Sequence, residues 1–560
     1  MQAAPSKPRQ LCKPQSQAQS GLQKGFVAVL LIVMIAVAAM AALTMNLWGG
    51  KGEAQAYDKK LTREALRQAK QALLARIETG GLPAGGAVPA DIQALLFKTI
   101  GGRLPCSSAN GDGSIDTPCG TIASVLTGVH NLGLFPWRGI DIDPLKDAAS
   151  ECLWYAVSGD FKNASVLSNR TQPLNLDTNG AFTVIQPIKN INPTTGAITW
   201  SEKIIAGGAV PANQVVAVIM APGRARGAQT RTTVDNTRRC QLTNFAADGV
   251  TPSAQLSAPN YLESYAGSVF SGDNRQIVNL ALGFANIGPH TFVQADDNHE
   301  RLNDELIWIT AEEFANAAAK RTVRIMAEAI NQYVYGFFES NAFALAPAPA
   351  ALAYVAGNGY FPTAASVPGG PCVAGRLQGY VPMSCGGGVS ATWNAGFGWY
   401  LGSRIVNGIA VDAALPPAAV DPDGWLSHAH YAVSENCTAP NGLAINTPPF
   451  TATNPPSTIC TIGTPRIAVG ADITNVQALI LMRGRPITGL GQTAAICNAG
   501  ANGSMHLCLE DPINSAKVLA GNTLAGPPFP GAVPALPPYQ LIQTGSNDIL
   551  HLFKQRTFPP

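Results

Sequence analysis

Cysteines are the residues whose spacing says most about chemistry. Cys106 and Cys119 stand 13 positions apart, and so do Cys372 and Cys385. Each pair opens after a glycine doublet, Gly101-Gly102 or Gly369-Gly370, and closes before a glycine. The repeated spacing predicts two local disulfides, each worth about 3 kcal/mol by loop-closure entropy. Cys152–Cys240, Cys437–Cys460 and Cys497–Cys508 complete the expected pairing. Zinc fits poorly, because no Cys-x-x-Cys pair and no histidine at ligand spacing accompanies them.

The loop from Ser108 to Cys119 invites a calcium reading. Counted from Ser108, the residues Asn110, Asp112, Ser114 and Asp116 take positions 3, 5, 7 and 9 of an EF-hand-like loop, with Gly113 at the turn. The first position is not aspartate, and Cys119 stands where the bidentate glutamate belongs. A disulfide-closed turn is therefore favoured over calcium, and no other cofactor is expected. Arg224, Arg226, Arg231, Arg238 and Arg239 form a basic cluster opposed only by Asp235. Such a patch suits DNA phosphates, but no aromatic side chain is interleaved to stack bases, so a solvated loop is the simpler reading. Asp296, Asp297, Asn298 and Glu300 read as a second solvated, acidic loop. His428 and His430 alternate as strand neighbours do, but two histidines without a third ligand are more simply exposed. No Gly-x-Ser-x-Gly, His-Glu-x-x-His or phosphate-loop motif is present, so no enzyme is expected.

The elements that carry these residues come from a loop-rich chain of 560 residues. Only 13% are charged, against about 25% in an ordinary soluble chain. The 56 glycines and 42 prolines exceed the ordinary share of about 12%. Hydrophobic residues still reach 46%, which excludes global disorder, and a net charge of +2 excludes a broadly basic nucleic-acid binder. Trp137, Trp154, Trp393, Trp399 and Trp425 read as core residues.

Residues 1–25 are basic and free of acids, and Phe26–Trp48 is apolar except at Thr44 and Asn46. A helix of that length reaches about 34 Å, enough for a bilayer core. The basic flank predicts a cytoplasmic amino terminus and an exported remainder. An amphipathic helix follows over 62–78, with Leu66, Ala69, Leu73 and Ile77 on one face.

Beyond residue 80 the same elements come twice, in the same order. Besides the cysteine pairs, Tyr155-Ala-Val-Ser158 returns as Tyr431-Ala-Val-Ser434. Val216-Ala-Val-Ile-Met220 with Gly223-Arg224 returns as Gln477-Ala-Leu-Ile-Leu481 with Gly484-Arg485. Gln229-Thr230 returns as Gln492-Thr493, Cys240 as Cys497, and Asn303-Asp304 as Asn547-Asp548. A helix predicted over 311–339 opens the second copy, and Thr310 with Glu313 makes its capping box. Phe314, Ala317, Val323, Met326 and Ile330 mark its inner face. Short apolar runs between turn residues predict β-strands after each helix. Residues 342–351, 415–424 and 526–538 read as extended loops.

The junction Gln23-Lys24-Gly25-Phe26, at the head of the apolar run, resembles the leader of type IV prepilins. That leader is cut after glycine and leaves a methylated phenylalanine first. The resemblance implies cleavage between Gly25 and Phe26 by a prepilin peptidase. A plain anchor, or a signal peptide cut after Ala54-Gln55-Ala56, is the alternative. Leu30 stands where most major pilins carry glutamate, which argues against a bulk filament subunit. The Leu104-Pro-Cys element, the Gly111-Asp112-Gly113 loop, Leu134-Phe-Pro-Trp137 and Glu151-Cys-Leu-Trp-Tyr-Ala-Val-Ser158 look like those of large prepilin-type minor pilins or pseudopilins of proteobacteria. The likeness spans about residues 20–320 and, more faintly, the second copy.

The expected fold is therefore α+β. It has a leader (1–25), an anchor and long pilin-like helix (26–80), and two helix-plus-antiparallel-β modules (81–309 and 310–560). The expected role is that of a minor pilin-like subunit at the tip or rare positions of a type IV pilus or pseudopilus. There it initiates assembly or binds a surface, with other pilins as partners through its first helix. The expected place is the inner membrane in a single pass, with the bulk periplasmic or displayed at the cell surface. The rival is an anchored binding protein unconnected with pili. Cleavage after Gly25 removes four basic residues and Cys12, turning the net charge from +2 to −2 and leaving an even set of cysteines.

Overall fold

The computed structural model describes residues 56–78, 103–108, 113–115, 130–162, 174–231 (without 209, 211–212, 228 and 230), and 258–339 (without 277, 280–283, 286–288 and 297). It further describes 353–356, 361–382 (without 369, 371, 374 and 375), 405–406, 409–410, 424–437 (without 435 and 436), 467–469, 473–486, 492, 497, 505–509 and 548–554. The chain divides into two compact units, Met1–Leu61 and Thr62–Pro560.

Helix α1 covers residues 56–78. Leu66, Ala69, Leu73 and Ile77 are buried at helical spacing, while Arg63, Glu64 and Arg67 line the outer face. The first module continues with β1 (Asn131–Leu134), β2 (Trp154–Val157), β3 (Phe182–Ile191), β4 (Ile198–Ala206) and β5 (Val215–Ala221). Two short hairpins follow, β6 (Ser264–Ala266) with β7 (Ser271–Asp273) and β8 (Val278–Asn279) with β9 (Phe284–Ala285). Then come β10 (His290–Val293) and β11 (Glu305–Thr310). The main sheet runs β1-β2-β5-β3-β10, with β11 on β5 and β4 on β3. Strand β5, VVAVIMA, is buried along its whole length, as befits a strand covered on both faces.

Helix α2 (Ala311–Tyr335) opens the second module directly after β11. Its capping box forms as expected: Glu313 N–H donates to Thr310 Oγ1 at 3.1 Å, and Thr310 N–H donates to Glu313 Oε2 at 3.0 Å. The helix stops short of 339 because β12 (Gly336–Glu339) pairs with β13 (Ala353–Ala356). After it come β14 (Gln378–Tyr380), the small β15 (Ile405–Val406) and β16 (Ile409–Ala410) pair, β17 (Ala429–Val433), β18 (Ile467–Val469), β19 (Ile473–Met482) and β20 (Ile549–Lys554). The second sheet runs β14-β17-β19-β18, with β20 on β19.

The repeat is present in the register itself. Tyr155 lies opposite Ile219, and Tyr431 opposite Ile480. Leu306 lies opposite Met220, and Leu550 opposite Leu481. Ser158 N–H donates to Val216 O, and Ser434 N–H to Gln477 O, both at 2.8 Å. The cysteine match, however, is displaced. Leu104 N–H donates to Phe161 O as Phe361 N–H does to Cys437 O, and Ser108 bridges Leu134 as Ala365 bridges Tyr380. Thr363 therefore takes the place of Cys106, and Cys372 sits beyond it.

One continuous core joins both helices and both sheets, with Phe161 edge-on to Phe314 at 4.9 Å. Lys70 pairs with Glu313 at 2.6 Å, and Arg324 caps the Glu78 carbonyl at 2.7 Å, so the two helices run side by side in the same direction.

The expected α+β architecture on a long pilin-like first helix is corrected. Among the described residues the protein is mostly β, with two α-helices. Neither helix is long and apolar enough to cross a membrane, because each is apolar along one stripe only and charged opposite it. The single-pass inner-membrane placement is corrected on the same ground. Phe26–Trp48, on which it rested, lies outside the described residues.

Candidate functional site

The polar chemistry of the described residues gathers at the turn after β5 and at its counterpart after β19. Gly223 turns the chain with φ +62°, and a Cβ there would press on Asn303 at 3.0 Å. Its N–H donates to Asp147 Oδ2 at 2.8 Å, while Asp147 Oδ1 accepts from Glu151 N–H at 2.9 Å. Burial raises the Asp147 carboxyl to about 6, against the pull of these N–H donors.

Two of the clustered arginines, Arg226 and Arg231, are architectural here. Arg226 donates to the carbonyls of His299 and Glu300, both at 2.9 Å. Arg231 donates to the carbonyls of Asn260 at 3.2 Å and Tyr261 at 3.1 Å, lies 5.3 Å over the Tyr261 ring, and faces Glu151 at 3.5 Å. Guanidinium groups clamped on backbone oxygens have few N–H groups left for phosphate. Arg224 is exposed at the turn, and its carbonyl accepts from Asn303 Nδ2 at 2.7 Å. Arg238 and Arg239 lie outside the described residues.

Beside this clamp lie two acids that motif reading passed over. Asp304 Oδ2 accepts from Glu263 N–H at 2.7 Å and from Asn274 Nδ2 at 2.9 Å. Glu263 Oε2 accepts in turn from Asn303 N–H at 2.6 Å. The repeated Asn-Asp pair, Asn303-Asp304 and Asn547-Asp548, was the signal in the sequence that pointed here. Asp296, expected in a solvated loop, is buried and gathers four N–H groups, from Asn298, Glu300, Arg301 and Leu302, at 2.8–3.2 Å. Burial raises its carboxyl, but these four donors prevail and bring it below the usual value.

At the second turn Gly484 N–H donates to Asp548 Oδ1 at 2.9 Å. Arg483 is fully buried, and its Nη2 donates to both carboxylate oxygens of Asp177, at 3.0 and 3.1 Å. Arg485 reaches Thr178 O at 2.7 Å and Asn179 Oδ1 at 3.1 Å. Arg483 also donates to Gly484 O at 3.0 Å, whereas Asp177, Thr178 and Asn179 belong to the first module. His428 and His430 are buried rather than exposed. Burial, and then Arg483, hold His428 well below the usual imidazole range; burial and Arg376 bring His430 to about 3. No group of three metal-ligating side chains occurs among the described residues.

Cys497 and Cys508 are joined, with Cα atoms 5.7 Å apart. Cys106, Cys152, Cys372 and Cys437 are also disulfide-bonded. Cys119, Cys240, Cys385 and Cys460 lie outside the described residues, as do Gly25, Phe26, Asn110, Asp112 and Asp116. Of the calcium set only Ser114 is described, next to Gly113, whose φ of +77° places it against the Trp137 ring. No protein-family model matches this chain, and neither does any curated protein or solved structure.

Proposed function

We propose that this chain is a non-catalytic structural subunit of the minor pilin or pseudopilin type, used at the tip or rare positions of a filament to initiate assembly or bind a surface. The observation that carries the reading is the Gly25-Phe26 junction at the head of an apolar run, with Leu30 in place of the usual acid. Six disulfide-bonded cysteines, which suit an oxidising compartment, support it. Mass spectrometry of the mature amino terminus tests it: methylated Phe26 is the expected result, and an intact Met1 or a start at Tyr57 overturns it.

A surface-binding protein unconnected with pili is the second reading. It is favoured by the β3–β4 arm, whose end exposes the facing pair Ile191 (60%) and Ile198 (54%). Deletion of the gene separates the two: loss of piliation or secretion supports the first, and loss of surface attachment alone supports the second.

A further inference from the structure

Asp304 holds both feet of the β6–β7 hairpin. Glu263, which donates its N–H to Asp304 Oδ2, immediately precedes β6, and Asn274, which donates its side-chain amide to the same oxygen, immediately follows β7. The tip of that hairpin carries the exposed Val269 (72%) and Phe270. The two oxygens of Asp304 are unlike. The residue is fully buried, yet Oδ1 meets no donor among the described residues. Asn274 cannot turn to serve it, because Nδ2 also donates to Val293 O at 2.8 Å and Oδ1 accepts from Val293 N–H at 2.9 Å. A buried oxygen without a donor disfavours a carboxylate and suits a carboxylic acid.

The surrounding charges point the same way. Glu263 faces Asp304 from the segment before β6. From the turn after β5, Arg231 faces both acids and Arg226 faces Glu263. Arg231 is shared with Glu151 at 3.5 Å, and Arg226 with two carbonyls. Asp273 and Arg275, flanking Asn274, bind each other at 3.1 Å. Glu305, next along the chain, takes Gln294 Nε2 at 2.9 Å and lies 3.4 Å from His299. Burial first, and then the Glu263 charge, push the Asp304 carboxyl well above its ordinary range.

We propose that Asp304 keeps its proton at neutral pH, on Oδ1, and that with Glu263 it forms a pH-sensitive latch releasing the β6–β7 hairpin in alkaline solution. An acid that holds its proton more tightly when folded stabilises the fold at low pH, and that stabilisation is lost as pH rises through its folded value. Ionisation sends the proton to solvent and leaves a buried negative charge beside the half-buried carboxylate of Glu263. The hairpin is then set free at its feet, while Tyr265 O–H and Ser268 N–H still donate to Glu202.

Infrared spectroscopy of the full disulfide-bonded chain tests the latch. At about pH 8, where Asp147 has ionised, the wild type is expected to show a protonated-carboxyl stretch that Asp304→Asn lacks. Melting of the wild type is expected to fall on further alkalisation, and that of the variant to fall less. A wild type without the stretch, a stretch that survives in Asp304→Asn, or equal alkaline losses overturns the proposal. Should Asp304→Asn not fold, Glu263→Gln decides, since removing the neighbouring charge is expected to move the titration of the stretch to lower pH. An unmoved midpoint overturns the latch.

Discussion

At the turn after β5, the first module ties Gly223 to Asp147, a residue of its own, and clamps Arg226 and Arg231 on its own carbonyls. At the matching turn after β19, the second module ties Gly484 to its own Asp548 but gives Arg483 and Arg485 to Asp177, Thr178 and Asn179 of the first. The backbone frame is common to both copies, down to the strand register and the Ser158 and Ser434 bonds. The polar partners are not. In these bonds the first turn is self-contained, while the second also leans on a segment of the first module.

That contrast can be broken most severely at Asp177. Asp177→Ala leaves Arg483 buried without its carboxylate partner, and loss of one member of a buried pair costs about 3–5 kcal/mol. Denaturant titration should show the loss, with hydrogen exchange localising it to β17 and β19. If exchange quickens equally in β2 and β5, the dependence is not one-sided. Asp147→Asn probes the self-contained turn. The Asp147 carboxyl lies at about 6 against an ordinary 3.8, so the folded state holds the proton more tightly. The stability this gives at pH below the ordinary value is lost as pH rises through about 6, by about 3 kcal/mol. Asp147→Asn should flatten that part of the stability profile; an unchanged slope between about pH 4 and 7 rules the assignment out. Thr310→Ala, at the joint between the modules, removes half of the capping box and should cost about 1 kcal/mol in urea titrations. The smallest change is expected for Arg224→Ala, within about 0.5 kcal/mol, because this arginine is exposed. A larger loss would show that the clamp includes it.

Several of these features were legible in the sequence. The spacing of Leu66, Ala69, Leu73 and Ile77 gave the buried stripe of α1, and Thr310 with Glu313 gave the start of α2. The repeated Tyr-Ala-Val-Ser and Gly-Arg elements fell on equivalent strands and turns, because strand register transmits sequence spacing directly into pairing. Cys106 and Cys372 misled: their equal spacing to a second cysteine suggested equivalence, but backbone pairing sets Thr363 there instead. Asp177, Glu263 and Asn274 carried no local signal, since their partners lie far away along the chain. His428 and His430 looked like exposed strand residues because alternation tells which residues share a face, not whether that face is covered.

Strand β11 ends at Thr310 and helix α2 begins at Ala311, with no residue between them. Thr310 thus belongs at once to the pairing with Val215 and to the cap of the helix. In mechanical terms the chain has no compliant tether at this joint. Tension drawn through the second module would arrive at β5 as shear across a ladder of backbone hydrogen bonds, which yield together rather than one at a time. A pull on the second copy is therefore felt in the middle of the first.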